Sequence, residues 1–151
     1  MFWHYCTGCL GHALTTGYTF TLLILPCIFM KKSDKKIDNA LRGALTNVCE
    51  TALGNVEGFV WLTHLVNYNA FPNSLKIVCV FETDEAWSKA IVAKQEDYFY
   101  QLIKRELSAV DISHHKLRQQ LSFDTEEACE RSHDGKWNER LAKLQSRELL
   151  H

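Results

Sequence analysis

Two runs of apolar residues flank a short polar turn in the middle of the chain. The first run, residues 59–66, is apolar on both faces of an extended chain, which is typical of a central strand. The second run, 75–81, has one apolar face and one partly polar face. The turn 67–73 contains asparagine and proline, which favour chain reversal. This pattern predicts an antiparallel hairpin in the middle of a sheet. It places three large side chains on one face of the first strand, namely Phe59, Trp61 and Leu65.

Three other parts of the chain repeat apolar residues every three or four positions, as expected for one side of a helix. The first covers residues 37–52 and ends before a glycine. The second begins after Thr83, a good N-cap residue, and continues to Val110. A polar break at 94–97 predicts either a kink or two separate helices. The third, 137–144, follows an Asp-Gly pair that is typical of a helix break.

Apolar and polar residues alternate between Leu117 and Phe123, which predicts a third strand with one solvated face. Its charges suit an edge of the sheet. Thr125 then stands in position to cap a short acidic helix. We therefore predict an α+β fold in which helices pack an antiparallel three-stranded sheet, in the order α-β-β-α-(α)-β-α. No internal repeat and no low-complexity segment is recognised.

Composition divides the chain near Met30. Every Lys, Arg, Asp and Glu of the 151 residues lies after this position. We expect residues 1–29 to be an uncharged apolar extension and residues 30–151 to be a single α+β domain. The later part has a lysine-rich start that leads directly into the first predicted helix, and translation from Met30 is the interpretation that we adopt.

The uncharged run 13–30 leaves a second interpretation open. Its 18 residues reach the lower limit for a membrane-spanning helix, and four lysines follow within six positions. Threonines, a glycine and a proline dilute the run. A secretory signal fits less well because no basic residue precedes the apolar stretch. We predict a cytoplasmic protein, with a membrane anchor through residues 13–30 as the alternative if residues 1–29 belong to the mature chain.

Residues of metal-binding type form three small groups: His4, Cys6, Cys9 and His12; His114 and His115; Cys129 and His133. The first group is too compressed for the usual zinc knuckle, and the other two supply only pairs of ligands. The buried cysteines are expected to be reduced and to pack as small hydrophobic residues. We predict no metal and no cofactor.

The sequence contains no pattern that favours catalysis. A nucleophile elbow, a phosphate-binding glycine loop and a supported pair of carboxylates are all missing, and the chain has only seven glycines. No small-molecule substrate is evident. We therefore predict a non-enzymatic binding domain. The formal net charge of −1 gives no large electrostatic footprint for nucleic acid.

The last predicted helix carries the best local case for nucleic-acid binding. It presents five side chains of types that contact phosphates and base edges: Lys136, Asn138, Arg140, Lys143 and Arg147. The preceding short helix carries three glutamates that would repel a phosphate backbone. An apolar stripe through Trp137 and Leu141 favours the alternative of a solvated packing helix.

Four segments carry a resemblance to a known family: residues 64–68, 71–75, 78–81 and 122–130. Together they resemble a small proteobacterial family whose members are labelled Fis-family transcriptional regulators. The resemblance covers most of the chain after Met30, and it implies a regulatory role with binding to DNA.

The predicted order of elements is also similar in topology to type II KH-like domains such as ribosome-binding factor A, which implies a ribosome-associated role. The Gly-x-x-Gly loop of many KH domains is absent from this chain. Two functions follow as expectations. The first is a regulatory or ribosome-associated domain that binds nucleic acid. The alternative is a protein-interaction or dimerisation module that pairs through the edge strand Leu117 to Phe123, as in a homodimer.

Overall fold

The computed structural model describes the backbone of residues 4–5 and 31–148 and the side chains of residues 31–146. Its strands are β1 (His4–Tyr5), β2 (Phe59–Leu65), β3 (Lys76–Phe81) and β4 (Leu121–Thr125). Its α-helices are α1 (Lys32–Asn55), α2 (Asp84–Val92), α3 (Gln95–Ala109), α4 (Leu117–Gln120), α5 (Glu126–His133) and α6 (Trp137–Glu148). The α+β class is confirmed, and the polar break at 94–97 separates two helices.

The sheet is mixed. Strands β2 and β3 form the predicted antiparallel hairpin, and the two-residue β1 pairs with the outer side of β2. Strand β4 pairs with β3 in parallel, with Ile77 opposite Leu121 and Phe81 opposite Thr125. The prediction of a purely antiparallel sheet is therefore wrong. The helices α2, α3 and α4 form a crossover from the end of β3 back to its starting end, which is the connection that parallel strands require.

The third strand is shorter than the sequence pattern indicates. Residues 117–120 form the single-turn helix α4, and the strand begins at Leu121. The side chain of Gln120 donates a hydrogen bond of 2.7 Å to the carbonyl of Pro72 in the hairpin turn. This contact and the burial of Leu117 hold residues 117–120 in a helical turn. The prediction of a strand is therefore wrong for these four residues.

The main core lies between one face of the sheet and helices α1, α2 and α3. On this face Leu62, Ile77 and Phe81 are buried against apolar side chains from these helices. Phe81 contacts the rings of Phe99 and Trp87 at centroid distances of 6.1 and 5.1 Å. The apolar residues that recur every three or four positions and predicted these helices therefore lie on the buried sides of the helices.

The opposite face of the sheet is covered by α5 and α6. Val78 and Val80 of β3 are fully buried there against Cys129, Trp137 and Leu141. Strand β3 is thus apolar on both faces because helices cover it from both sides. The structure is a three-layer arrangement, with the sheet in the middle.

A bulge in β2 changes the predicted arrangement of its side chains. The register shifts between Phe59 and Trp61, so these two residues pair with Phe81 and Val80 of the neighbouring strand. As a result Phe59 packs in the main core, while Trp61 and Leu65 face the second helical layer. The prediction that all three side chains share one face is wrong for Phe59, because an extra residue inverts the alternation.

The parallel strands β3 and β4 end in the same way. In each, a Phe-acid-Thr segment leads into a helix, and the pattern Phe-(Glu/Asp)-Thr-(Asp/Glu)-Glu-Ala occurs at both places. Thr83 accepts a hydrogen bond from the amide of Ala86, and Thr125 accepts one from the amide of Ala128. Both predicted N-caps are confirmed. The pattern is also a short repeat, which the expectation of no repeat missed.

Gly58 immediately precedes β2 and lies close to α2. Its φ of +76° lies in the left-handed region. A Cβ at this position would lie 2.5 Å from the Cβ of Ala86. We expect Gly58→Ala to lower the free energy of unfolding by about 2 kcal/mol, because the left-handed backbone conformation is unfavourable for alanine and the new Cβ overlaps the Cβ of Ala86. Urea denaturation measures this change.

Gly43 provides the matched control for Gly58. It lies within α1, and a Cβ there would meet nothing within 4 Å. Gly43→Ala is expected to raise the free energy of unfolding by about 0.5–1 kcal/mol, since alanine restricts the unfolded chain. A loss of stability at Gly43 equal to that at Gly58 would contradict the steric explanation.

The described residues contain no helix that is long and apolar enough to cross a membrane. The run 13–30 lies outside the described residues, so the alternative of a membrane anchor stays a prediction.

Candidate functional site

Helix α6 places the five predicted nucleic-acid contacts in different surroundings. Lys136 precedes the helix and its Nζ lies 3.7 Å from a carboxylate oxygen of Glu139. Asn138 and Lys143 are exposed. The side chain of Arg147 lies outside the described residues. The exposed side of α6 therefore mixes basic, amide and acidic groups.

Arg140 is the predicted contact with the most partners inside the chain. Its Nε and Nη2 donate hydrogen bonds of 2.6 and 2.7 Å to the two carboxylate oxygens of Asp124 on β4. Its Nη1 donates to Ser132 Oγ at 2.6 Å. Only 21% of the Arg140 side chain and 11% of the Asp124 side chain are exposed. The hydrogen bonds to Asp124 raise the pKa of Arg140 above its ordinary value. Arg140 joins α6 to the edge strand and α5.

A carboxylate between two tryptophans fixes the start of α6. Glu126 accepts a hydrogen bond of 2.8 Å from the indole nitrogen of Trp137 and another from that of Trp61. The two indole rings meet edge to face at a centroid distance of 4.7 Å. One predicted repulsive glutamate of α5 therefore acts as an acceptor within the fold.

Strand β4 forms the edge of the sheet opposite β1. Among the described residues no strand pairs with its outer side. The amide of Leu121 donates to the carbonyl of Leu117, and the amide of Thr125 donates to Asp124 Oδ1 at 2.9 Å, so both point away from β3. Because peptide groups alternate in direction along a strand, the amide and carbonyl of Phe123 also point outward.

The side chains of β4 give the edge two different faces. Leu121 and Phe123 lie against the main core and are partly exposed. The ring of Phe123 stacks on Trp87 of α2, with centroids 4.4 Å apart and an interplanar angle of 14°. Ser122 and Asp124 lie on the face towards α6. The edge therefore combines an aromatic side with a polar side.

Charges of opposite sign lie at the two ends of β4. Before the strand, Lys116 is exposed. Arg118 forms an ion pair of 2.9 Å with Asp97, and 63% of the Arg118 side chain and 60% of the Asp97 side chain are exposed. After the strand, Glu127 is exposed and accepts a hydrogen bond of 2.9 Å from the amide of Asp84. The approach to β4 is basic and its exit is mainly acidic.

Asp84 links the two capped helices at the acidic end. It accepts hydrogen bonds from Thr125 Oγ1 at 2.5 Å and from Arg131 Nη2 at 2.9 Å. These hydrogen bonds, first from Thr125 and then from Arg131, lower the pKa of Asp84 below its ordinary value. The contacts fix the N-termini of α2 and α5 side by side beyond the ends of β3 and β4.

A second polar cluster surrounds Asp38 of α1, which is 6% exposed. Tyr68 donates its hydroxyl to Asp38 Oδ1 at 2.5 Å, and His64 Nε2 lies 4.0 Å from the same oxygen. Arg42 Nη1 lies 3.6 Å from the other oxygen. Burial, followed by the hydrogen bond to Asp38, raises the pKa of Tyr68 above its ordinary value.

Tyr68→Phe is expected to lower the free energy of unfolding by about 1–2 kcal/mol at neutral pH, because a buried carboxylate loses a donor. The pKa of Tyr68 is higher in the folded chain than its unfolded value of 10.0, so its contribution is complete below that pH and is lost as pH rises towards the folded pKa. Urea denaturation of both proteins at about pH 8 and about pH 11 measures the difference. A difference that stays constant with pH would contradict this linkage.

The histidines and cysteines of metal-binding type do not form a cluster of ligands among the described residues. His114 and His115 stack on each other at 6.5 Å, and His133 contacts Ser132. No group of three or more ligand residues occurs among residues 4–5 and 31–148. Cys6, Cys9 and His12 lie outside the described residues.

The described cysteines differ in state. Cys79 and Cys129 are free and fully buried, and burial raises the pKa of both thiols. Cys49 is also buried, but it is disulfide-bonded. The expectation that all buried cysteines are reduced is therefore wrong for Cys49.

Comparison with known proteins returns no match: no protein-family model, no curated protein and no solved structure is significantly similar to this chain. The resemblance to the Fis-labelled family stays a prediction.

Proposed function

We propose that this chain is a protein-interaction module without catalytic activity, and that the outer side of β4 is its pairing surface. The observation that supports this proposal best is the edge position of β4 without a partner strand in the described chain. The amides of Leu121 and Thr125 donate within the chain, and the outward amide and carbonyl of Phe123 are a donor and an acceptor for an added strand.

The surroundings of β4 support the same function. The strand is held from behind by a full parallel ladder to β3 and from one side by the Trp87 ring. A binding strand therefore meets a fixed template, which lowers the conformational entropy lost on association. Partly exposed Leu121 and Phe123 supply apolar contacts beside the backbone hydrogen bonds.

Nucleic-acid binding through α6 remains the other hypothesis, and the geometry supports it less. Arg140 donates to Asp124 and Ser132, and Lys136 lies beside Glu139. Two of the predicted contacts on α6 have exposed side chains, Asn138 and Lys143. Lys143 forms no ion pair with another described residue. Two such side chains give a small phosphate footprint, whereas nucleic-acid interfaces make many phosphate contacts.

One pair of measurements on the full chain separates the two functions. Labelled duplex DNA and structured RNA are titrated at low and high salt, and self-association or binding to a protein is followed on the same preparation. We expect association between proteins that is retained at high salt and that slows amide exchange at Phe123. Tight nucleic-acid binding that falls steeply with salt would overturn the proposal. An associated state with unchanged exchange at Phe123 would also overturn it.

A further inference from the structure

We propose that the strand that pairs with β4 is the β4 strand of a second copy of this chain, in an antiparallel arrangement about a two-fold axis at Phe123. This inference rests on the proposed function of β4 as a pairing edge. Two copies would then form one continuous sheet in which β4 and its symmetry mate occupy the centre.

The directions of the peptide groups support this register. Residues that exchange hydrogen bonds in an antiparallel pair must both point their peptide groups outward. The amides of Leu121 and Thr125 already donate to the carbonyl of Leu117 and to Asp124 Oδ1 within the chain, so Phe123 is the residue of β4 that offers both an outward amide and an outward carbonyl to a partner. An axis through Phe123 lets it exchange two hydrogen bonds with Phe123 of the partner subunit. An axis shifted along the strand would place an amide that is already bonded at the centre of the pair.

The side chains of β4 are self-complementary in this register. On the aromatic face Phe123 meets Phe123 of the partner subunit, and each ring is supported by Trp87 of its own chain. Aromatic pairs across antiparallel strands are favourable. On the polar face Ser122 lies opposite Asp124 of the partner subunit, so no like charges face each other directly. The bidentate contact with Arg140 neutralises Asp124 within its own chain.

The charges at the strand ends favour the antiparallel direction. A two-fold axis places Lys116, before one β4, beside Glu127, after the other. A parallel arrangement of the same edges would place like ends together. Opposite charges at both ends therefore select the antiparallel dimer over the parallel one.

A charge exchange tests this arrangement with the full chain. Lys116→Glu and Glu127→Lys each place like charges at both ends of the interface, and each is expected to weaken dimerisation about tenfold at low salt. The double variant restores opposite charges and is expected to recover most of the lost affinity. Analytical ultracentrifugation measures the dissociation constants. Thermal unfolding of each variant verifies that its fold is retained.

Rescue within one chain is excluded by distance. Lys116 and Glu127 lie beyond opposite ends of β4, and the five residues of the strand span about 17 Å at a rise of about 3.3 Å per residue. This separation exceeds the Debye length of about 8 Å at physiological salt. Recovery of affinity in the double variant therefore requires contact between two chains.

Amide exchange at Phe123 in the unmodified protein gives a second test that does not depend on the variants. Its amide has no partner strand in the described chain, so we expect fast exchange in dilute samples and slow exchange once a species of twice the 17.4 kDa chain mass forms. A monomer at all concentrations would overturn the dimer, while a different polypeptide that protects Phe123 would leave the proposed function in place. Slow exchange already in the monomer would overturn both, because the chain would then cover its own edge.

Discussion

Replacing Arg140 with alanine is expected to lower the free energy of unfolding by about 3 kcal/mol, the size found when one partner of a mainly buried ion pair is removed. The change leaves the Asp124 carboxylate, which is 11% exposed, without its two strongest donors. It also removes the hydrogen bond to Ser132 that connects α6 with α5. The cost arises from an uncompensated charge in the fold.

Urea denaturation followed by far-ultraviolet circular dichroism measures this effect. Lys143→Ala is the matched control, because Lys143 is an exposed cation on the same helix, and its expected change is within about 0.5 kcal/mol. Arg140→Lys should fall between the two, since lysine keeps the charge and loses the two-pronged contact with Asp124. Equal stability of the Arg140 and Lys143 alanine variants would show that the Asp124 contact contributes little.

The role of Arg140 changes how nucleic-acid binding must be tested. A charge reversal at Arg140 would place two carboxylates together and disturb the fold, so a loss of binding would not identify a phosphate contact. Lys143 is the better probe because its side chain is exposed and has no ion pair among the described residues. A reduced salt dependence in a folded Lys143 variant would support the hypothesis that α6 contacts phosphates.

The features that the sequence predicts well are those with a local physical cause. Thr83 and Thr125 cap helices because their hydroxyls accept the next free amides, a relation that spans three residues. The hairpin of β2 and β3 follows from two apolar runs joined by a turn. The break at Lys94 follows from a polar interruption, and its φ of 56° ends one helix before the next begins.

The features that the sequence predicts poorly depend on contacts between distant residues. Alternation over Leu117–Phe123 carries no information about strand direction, so the parallel pairing with β3 is missed. The bulge after Phe59 adds one residue to β2 and places Phe59 on the opposite face of the sheet from Trp61. No glycine or proline within β2 indicates the bulge. One sequence signal for the parallel pairing is the Phe-acid-Thr pattern that ends both β3 and β4. Two strands that lead into helices through the same pattern are expected to run in the same direction.

The candidate site illustrates the same limit. Residue type alone indicates a phosphate contact at Arg140, but its partner Asp124 is 16 residues away and on a strand edge. The edge position of β4 was predicted correctly from its charges, although its start and direction were not. Pairing through this edge stays a proposal that the exchange and association measurements test.

Trp137→Ala is expected to lower the free energy of unfolding by about 4 kcal/mol, since large-to-small changes at a buried aromatic residue leave a cavity. Trp137 is 9% exposed and packs α6 onto the sheet with Leu141. Its loss also removes the ring contact with Trp61 and one of the two indole donors to Glu126. The second helical layer consists of α5 and α6, so few other contacts compensate.

Trp137→Phe separates the two contributions in this effect. Phenylalanine keeps most of the apolar contact and removes only the indole donor, so its expected cost is about 1.5–3 kcal/mol for a hydrogen bond to a charged group. Urea denaturation gives the total change, and native-state amide exchange shows where it acts. Protection should fall first in α5 and α6, while the amides of β3 and α1 keep theirs, because the main core on the other face of the sheet does not include Trp137. Uniform loss of protection across both layers would show instead that the two faces of the sheet unfold as one cooperative unit.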